Sequence, residues 1–415
     1  MLEKYFSAPK TLAHLRSGLS GPHIDGFADA LELDGYSPAS AVRYLRAAAH
    51  FGRFLQRRSS SFAHIDSSTL DAFCCHLHRC YCPSSNRGRD GYHTRFGAKR
   101  FHAYLVQTGI CQRSCSPAAD SPEPELVVSF RDWFRQHRGA AEPTLRLYGR
   151  GAGALLDALG ADPSCWNAQQ VRKFVLDQSR QCGASTTQKL ITSLRAFLRY
   201  LRFRGLCPAD LDQAVPAFAH WRLATLPRCL SAEEVDRLIA VCEGSSPRRL
   251  RDRAIILMLV RLGLRAGDVT QLRLPDLEWQ SGTLRVMGKG RYEVRLPLSQ
   301  EVGEAILRYL ECRPPVHHSD RVFLRQIAPF KPFLSGDGVS NVVRRAMQRA
   351  GIVTPAKDAH LLRHTAATEM LRHGVPLDRI GLVLRHHSLD MTAYYAKVDV
   401  ALLHQVVQPW PEVNS

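Results

Sequence analysis

Residues 359–373 read Ala-His-Leu-Leu-Arg-His-Thr-Ala-Ala-Thr-Glu-Met-Leu-Arg-His, and Gly374-Val375-Pro376 follows at once. The apolar spacing predicts a helix over Ala359–His373, stopped by the glycine and proline. Three residues separate His360 from Arg363, so both fall on one face about a turn apart. Leu377–Leu384 reads as a second, apolar helix that delivers His386, and Met391–Ala396 carries Tyr394 and Tyr395. A run of short helices therefore gathers a guanidinium, imidazoles and a phenol.

Working outward, Arg249–Leu264 reads as a buried helix ending near Gly263, so that Arg265 emerges just beyond a rigid element. Asp268 opens the next helix, Asp268–Leu272. It either orients the Arg265 guanidinium or sits as an acidic residue on the helix N-terminus. The pattern then alternates. Leu277–Trp279, Thr283–Met287 and Tyr292–Leu298 read as short strands, with Lys289 at the tip of the second hairpin between glycines that permit close approach to a ligand. Ser340–Ala350 is a basic helix carrying Arg344, Arg345 and Arg349, whose preferred reading is a solvated face rather than a phosphate contact.

Two guanidiniums (Arg265, Arg363), an ammonium (Lys289), two imidazoles (His360, His386) and a phenol (Tyr395), with no carboxylate cluster to hold a metal, suit attack of a phenolate on a phosphodiester. In this order, the set resembles the signature of the tyrosine recombinase (phage integrase) family over about Leu226–Val398. Connecting text such as Leu226-Pro-Arg-Cys-Leu-Ser-Ala-Glu-Glu-Val235 is similar as well. Arg385 departs from the pattern, because the family usually has glycine before the second histidine. Two adjacent tyrosines compete, about 100° apart on a helix; the family's spacing selects Tyr395.

The resemblance implies a mechanism. Tyr395 attacks the scissile phosphorus, leaving a 3′-phosphotyrosyl strand and a free 5′-hydroxyl, which another strand reseals without ATP or metal. Arg265 and Arg363 hold nonbridging oxygens, Lys289 is the general acid, His360 the proton acceptor for the phenol, and His386 a donor to the phosphate. No cofactor is expected. Implied partners are double-stranded DNA, a homo-tetramer on synapsed sites, and sibling recombinases.

Composition agrees with a polyanionic partner: 415 residues carry a formal charge of +18 and the pI is near 9.7. No apolar run reaches membrane-span length and no secretory core opens the chain, so the expectation is a cytoplasmic, nucleoid-associated protein. Twelve cysteines are expected as reduced thiols. The run Cys74–Cys82 has enough sulfur and imidazole for zinc. It lacks a paired Cys-x-x-Cys, however, and Cys74, Cys75 and His76 fall on different helix faces, so no metal site is expected.

The first half contains a repeat. Phe101-His-Ala-Tyr-Leu-Val-Gln-Thr-Gly-Ile-Cys111 matches Phe197-Leu-Arg-Tyr-Leu-Arg-Phe-Arg-Gly-Leu-Cys207, and upstream Phe27, Tyr44 and Phe73 match Phe130, Tyr148 and Phe174. The expected fold is mainly α with a small β-sheet (α+β): a tyrosine recombinase catalytic domain preceded by two four-helix, SAM-like core-binding modules. The expected divisions are a module at 1–115, a linker at 116–125, a DNA-clamp module at 126–207, a linker at 208–228, the catalytic domain at 229–398 and a tail helix at 399–415. Arg146, Arg150, Lys189, Arg195, Arg199 and Arg202 either line the clamp or form a solvated face. A DNA-binding architectural protein and a type IB topoisomerase are the competing functions; the complete residue set disfavours the first, and the duplicated modules and tail disfavour the second.

Overall fold

The computed structural model describes residues 2–63, 65–78, 80, 82, 91–112, 123–217, 228–287, 293–315, 319–355, 358–386 and 388–398. Lys289 and the tail at 399–415 lie outside the described residues. The chain forms two compact units, one from residues 1–114 together with 225–415, the other from 115–224. Among the described residues no helix is long and apolar enough to cross a membrane.

The first unit opens with α1 (Pro9–Arg16), α2 (Gly21–Leu33), α3 (Pro38–Arg57), α4 (Ser67–His78) and α5 (Gly91–Gln107). Four of these match the four-helix repeat; α1 is an additional helix. Ser37 caps α3, accepting from the Ser40 amide, with Pro38 in the first turn where its missing N–H costs nothing. The second unit contains α6 (Glu125–Arg138), α7 (Glu142–Leu159), α8 (Ala168–Gln181) and α9 (Ala184–Phe203). An Asn167–Gln170 capping box starts α8.

The repeated aromatics occupy matching places in the two cores. Phe27 meets Phe101 at 5.0 Å and 62°, and Phe130 meets Phe197 at 5.1 Å and 60°. Phe27 and Tyr104 lie 5.5 Å apart, as do Phe130 and Tyr200. Each edge-to-face pair adds roughly 0.5–1.5 kcal/mol beyond its buried area, which accounts for these spacings recurring in the sequence. In the first core, Ala328 of the later chain also packs against the cluster.

The rest of the first unit is built round α11 (Pro247–Arg261), which follows α10 (Ala232–Ala240) and is buried on all sides from Ala254 to Leu259. Then come α12 (Ala266–Gln271), an antiparallel sheet of β1 (Leu277–Glu278), β2 (Thr283–Met287) and β3 (Glu293–Pro297), α13 (Gln300–Glu311), α14 (Gly336–Arg349), α15 (Ala359–Arg372), α16 (Leu377–Leu384) and α17 (Leu389–Ala393). Alternation in β2 buries Leu284 and Val286 opposite Leu296 and Val294. Helix α12 starts two residues earlier than Asp268, and α14 starts at Gly336, where Ser335 caps it. Its arginines 344, 345 and 349 are exposed.

Candidate active site

Just past the end of α11 comes Gly263, whose φ of +59° favours glycine, and a Cβ there would lie 2.6 Å from Leu384. The break turns the chain so that Arg265 becomes the N-cap of α12. Its backbone N–H donates to Asp268 Oδ2 at 2.9 Å and its Nη2 to the Arg385 carbonyl at 2.9 Å. Asp268 therefore caps α12 and does not hydrogen-bond the Arg265 guanidinium. Buried Nη1 of Arg265 finds no hydrogen-bond partner among the described residues, leaving a donor for a ligand.

Arg363 lies in the first turns of α15 and is 5% exposed. Its Nη1 donates to the carbonyl of Gly263 and its Nη2 to that of Leu384, so one fork ties the ends of α11 and α16 together. Burial first, then the positive neighbours Arg265 and Arg385, push its pKa down to about 10. It remains cationic at neutral pH, in a cluster of like charge that favours an anion.

After α17 the chain tightens into a 3-10 turn, Tyr394–Val398, which directs Tyr395 inward. Tyr395 is 2% exposed and packs with Ala367, Ile380 and Leu384. Tyr394 is half-buried, its ring 5.9 Å from that of His364. The hydroxyl of Tyr395 lies 2.8 Å from Nδ1 of His364. Burial raises its pKa to about 12, against the lowering effect of Arg363. His386 stacks nearly parallel to the tyrosine ring at 7°, and its Nδ1 is 2.8 Å from Thr392 Oγ1. Burial, then Arg363 and Arg265, take its pKa down to about 4, so it sits neutral in this fold.

Four of the six expected residues, Arg265, Arg363, His386 and Tyr395, thus come together. His360 is exposed, one turn before His364, and its backbone N–H bonds Asp358. His364, next to Arg363 in sequence, is not in the expected set; its spacing of four from His360, which puts it on the same helix face, is the signal that points to it.

The profile described as "Phage integrase family" matches residues 228–401. A Sinorhizobium fredii chain named "Putative integrase/recombinase y4rA" is 43% identical over 415 residues, covering 98% of this chain and 99% of its own. The chain belongs to the tyrosine recombinase (phage integrase) family. Its members are enzymes that cleave and rejoin DNA. A second Sinorhizobium fredii relative, "Putative integrase/recombinase y4rF", is 32% identical and covers 99% of this chain and 96% of its own. The fold is similar to that of a lambda integrase tetramer bound to a Holliday junction, with TM-score 0.54, 18% identity, and coverage of 74% of this chain and 87% of that one.

In this recombinase the departure at Arg385 has a structural account. Arg385 adopts φ 56° and ψ 51° and closes α16, with the His386 amide donating to the Gly381 carbonyl at 2.9 Å, the place where glycine is favoured. Its side chain is buried against Asp268. The left-handed backbone costs roughly 1–2 kcal/mol in a residue with a Cβ, whereas stripping one partner from a buried pair costs about 3–5 kcal/mol. Arg385→Gly is therefore expected to destabilise the protein by about 2 kcal/mol, read as a lower urea midpoint. A higher midpoint would mean that the backbone effect wins.

Proposed function

We propose that this recombinase cleaves and rejoins double-stranded DNA through a 3′-phosphotyrosine at Tyr395, in the integration, excision or transposition of a mobile element. The observation that carries this reading is the phenol of Tyr395 held by His364 beside Arg265, Arg363 and His386. Arg265 and Arg363 offer planar forks to the nonbridging oxygens as charge develops in the transition state. Lys289 is assigned the proton donated to the leaving 5′-oxygen, and His386 a hydrogen bond to the phosphate. The scheme needs no ATP, because the phosphotyrosine conserves the energy of the diester, and no metal, because the two guanidiniums supply the charge that meets the phosphate.

In this scheme His364, which bonds the phenol, is the proton acceptor in place of His360, the exposed residue that the family pattern selects. A phenol with a pKa near 12 is protonated at neutral pH, and His364 is the imidazole that bonds it. Burial, then His360 and Arg363, lower the pKa of His364 below its ordinary 6.5. The cleavage rate is expected to be level above that pKa and to fall as pH drops through it. His364→Ala is expected to cut cleavage by roughly a hundredfold and to replace the plateau with a rate that climbs toward phenol ionisation. An unchanged profile would remove His364 from proton transfer.

A nicked duplex carrying native element ends tests the reading as a whole. Trapping should yield a denaturant-resistant adduct whose DNA-linked peptide contains Tyr395. Binding without an adduct would favour the architectural protein, and adducts without synapsis of two duplexes would favour the relaxing topoisomerase. The two-domain clamp, with the first module extending the footprint or contacting a neighbour, belongs to the same proposal, as does a homo-tetramer coupled by the 399–415 tail. So do sibling recombinases and action at the nucleoid in the cytoplasm.

Within the second unit, Arg150 and Lys189 are exposed and suit phosphate contacts. Arg199 and Arg202 bond Asp212 at 3.2 and 3.0 Å, and Arg195 bonds the Val215 carbonyl at 3.1 Å, so these three hold the following segment to α9.

A further inference from the structure

Helices α3 and α4 bring together four side chains that strand cleavage does not use. His50 lies on the buried face of α3, His76 in the last turn of α4, and Cys80 and Cys82 just beyond it. Their ligating atoms all fall within 4.8 Å of one another. The two Nε2 atoms are 3.3 Å apart, Cys80 Sγ is 3.3 Å from His50 Nε2, and Cys82 Sγ is 3.6 Å from His76 Nε2. Around tetrahedral zinc, with bonds of about 2.0–2.1 Å to nitrogen and about 2.3 Å to sulfur, neighbouring ligand atoms are separated by roughly 3.3–3.8 Å. The three edges named above have those lengths, and no edge exceeds 4.8 Å.

The surroundings suit thiolate ligands. The backbone N–H of Cys82 donates to Cys80 Sγ at 3.3 Å, and Arg57 Nη1 donates to Cys82 Sγ at 3.2 Å. Both donors lower the energy of negative sulfur. Phe73 meets the ring of His50 at 5.3 Å and Phe54 meets that of His76 at 5.1 Å, fixing the imidazole orientations by packing. Two thiolates with two imidazoles in a tetrahedron select zinc among the common divalent metals.

We propose that His50, His76, Cys80 and Cys82 bind one zinc ion in a closed structural site that ties α3 to α4 and to the chain leaving it. Binding releases two thiol protons to water, and four protein ligands leave no open position for catalysis. Sequence alone points to reduced, metal-free thiols because Cys74, Cys75 and His76 share no helix face. The fourth ligand, His50, comes from a different helix, and Cys74 and Cys75 are not members of the cluster.

Full-length protein purified without chelator should contain one zinc per chain by elemental analysis. Cobalt(II) exchanged into it should give the intense visible bands of a tetrahedral site together with thiolate charge transfer. The double variant Cys80→Ser, Cys82→Ser should lose the zinc, while Cys74→Ser, Cys75→Ser should retain it. Substoichiometric zinc removed by washing, or a weak octahedral cobalt spectrum, would overturn the proposal. The cobalt spectrum needs no variant, so it decides the matter even if the double variant fails to fold.

Discussion

Tyr395→Phe is expected to bind DNA as the native protein does and to form no covalent adduct, a loss on the order of 10⁴–10⁶-fold in cleavage, as for nucleophile removal in other covalent enzymes. The change deletes one oxygen. The ring that packs against Ala367, Ile380 and Leu384 stays, so the fold survives, and only the hydrogen bond to His364 is given up. Tyr394→Phe is the matched control: Tyr394 is half-buried and its ring meets His364 edge-on, so that variant should still trap DNA. Adduct formation that persists in Tyr395→Phe and disappears in Tyr394→Phe would reverse the assignment, and gel-resolved adducts on a nicked duplex distinguish the cases.

What could be read from sequence here was what short spacings encode. The apolar rhythm of 359–384 and its glycine and proline stops give α15 and α16 to within a residue. The duplicated Phe and Tyr positions foretell two cores because each pair spans helices that the repeat itself carries. Contacts across the chain were less legible. Asp268 and Arg385 are 117 residues apart, and a buried ion pair leaves no periodic trace, so from sequence the arginine in place of glycine is only a departure from the pattern. His364 and Tyr395 meet only because a 3-10 turn follows α17 and rotates the second tyrosine inward, whereas helix geometry alone says merely that the two tyrosines diverge. His50 is 26 residues from His76 on another helix, and spacing rules for metal ligands look along the chain rather than across it.

The second large effect is expected at the two guanidiniums, and their different anchoring predicts different symptoms. Replacing either arginine by lysine exchanges a planar fork for a point charge where charge develops on phosphate, so each change should lower cleavage by about 10²–10³-fold, the range found for removing one preorganised donor. Among the described residues Arg265 makes one side-chain hydrogen bond to the fold, to the Arg385 carbonyl, and keeps an unpartnered Nη1. Arg265→Lys should therefore leave the unfolding midpoint near native while the rate collapses. Arg363 is buried and bonds two carbonyls, those of Gly263 and Leu384, at the ends of α11 and α16. A lysine cannot reach both, and hydrogen bonds from charged donors contribute about 1.5–3 kcal/mol each. Arg363→Lys should thus lose stability as well as rate. Single-turnover cleavage paired with urea unfolding of each variant separates the two roles. Near-native cleavage in Arg265→Lys would place that residue away from the phosphate, and an Arg363→Lys protein of native stability would show that the fork does not clamp the helix ends.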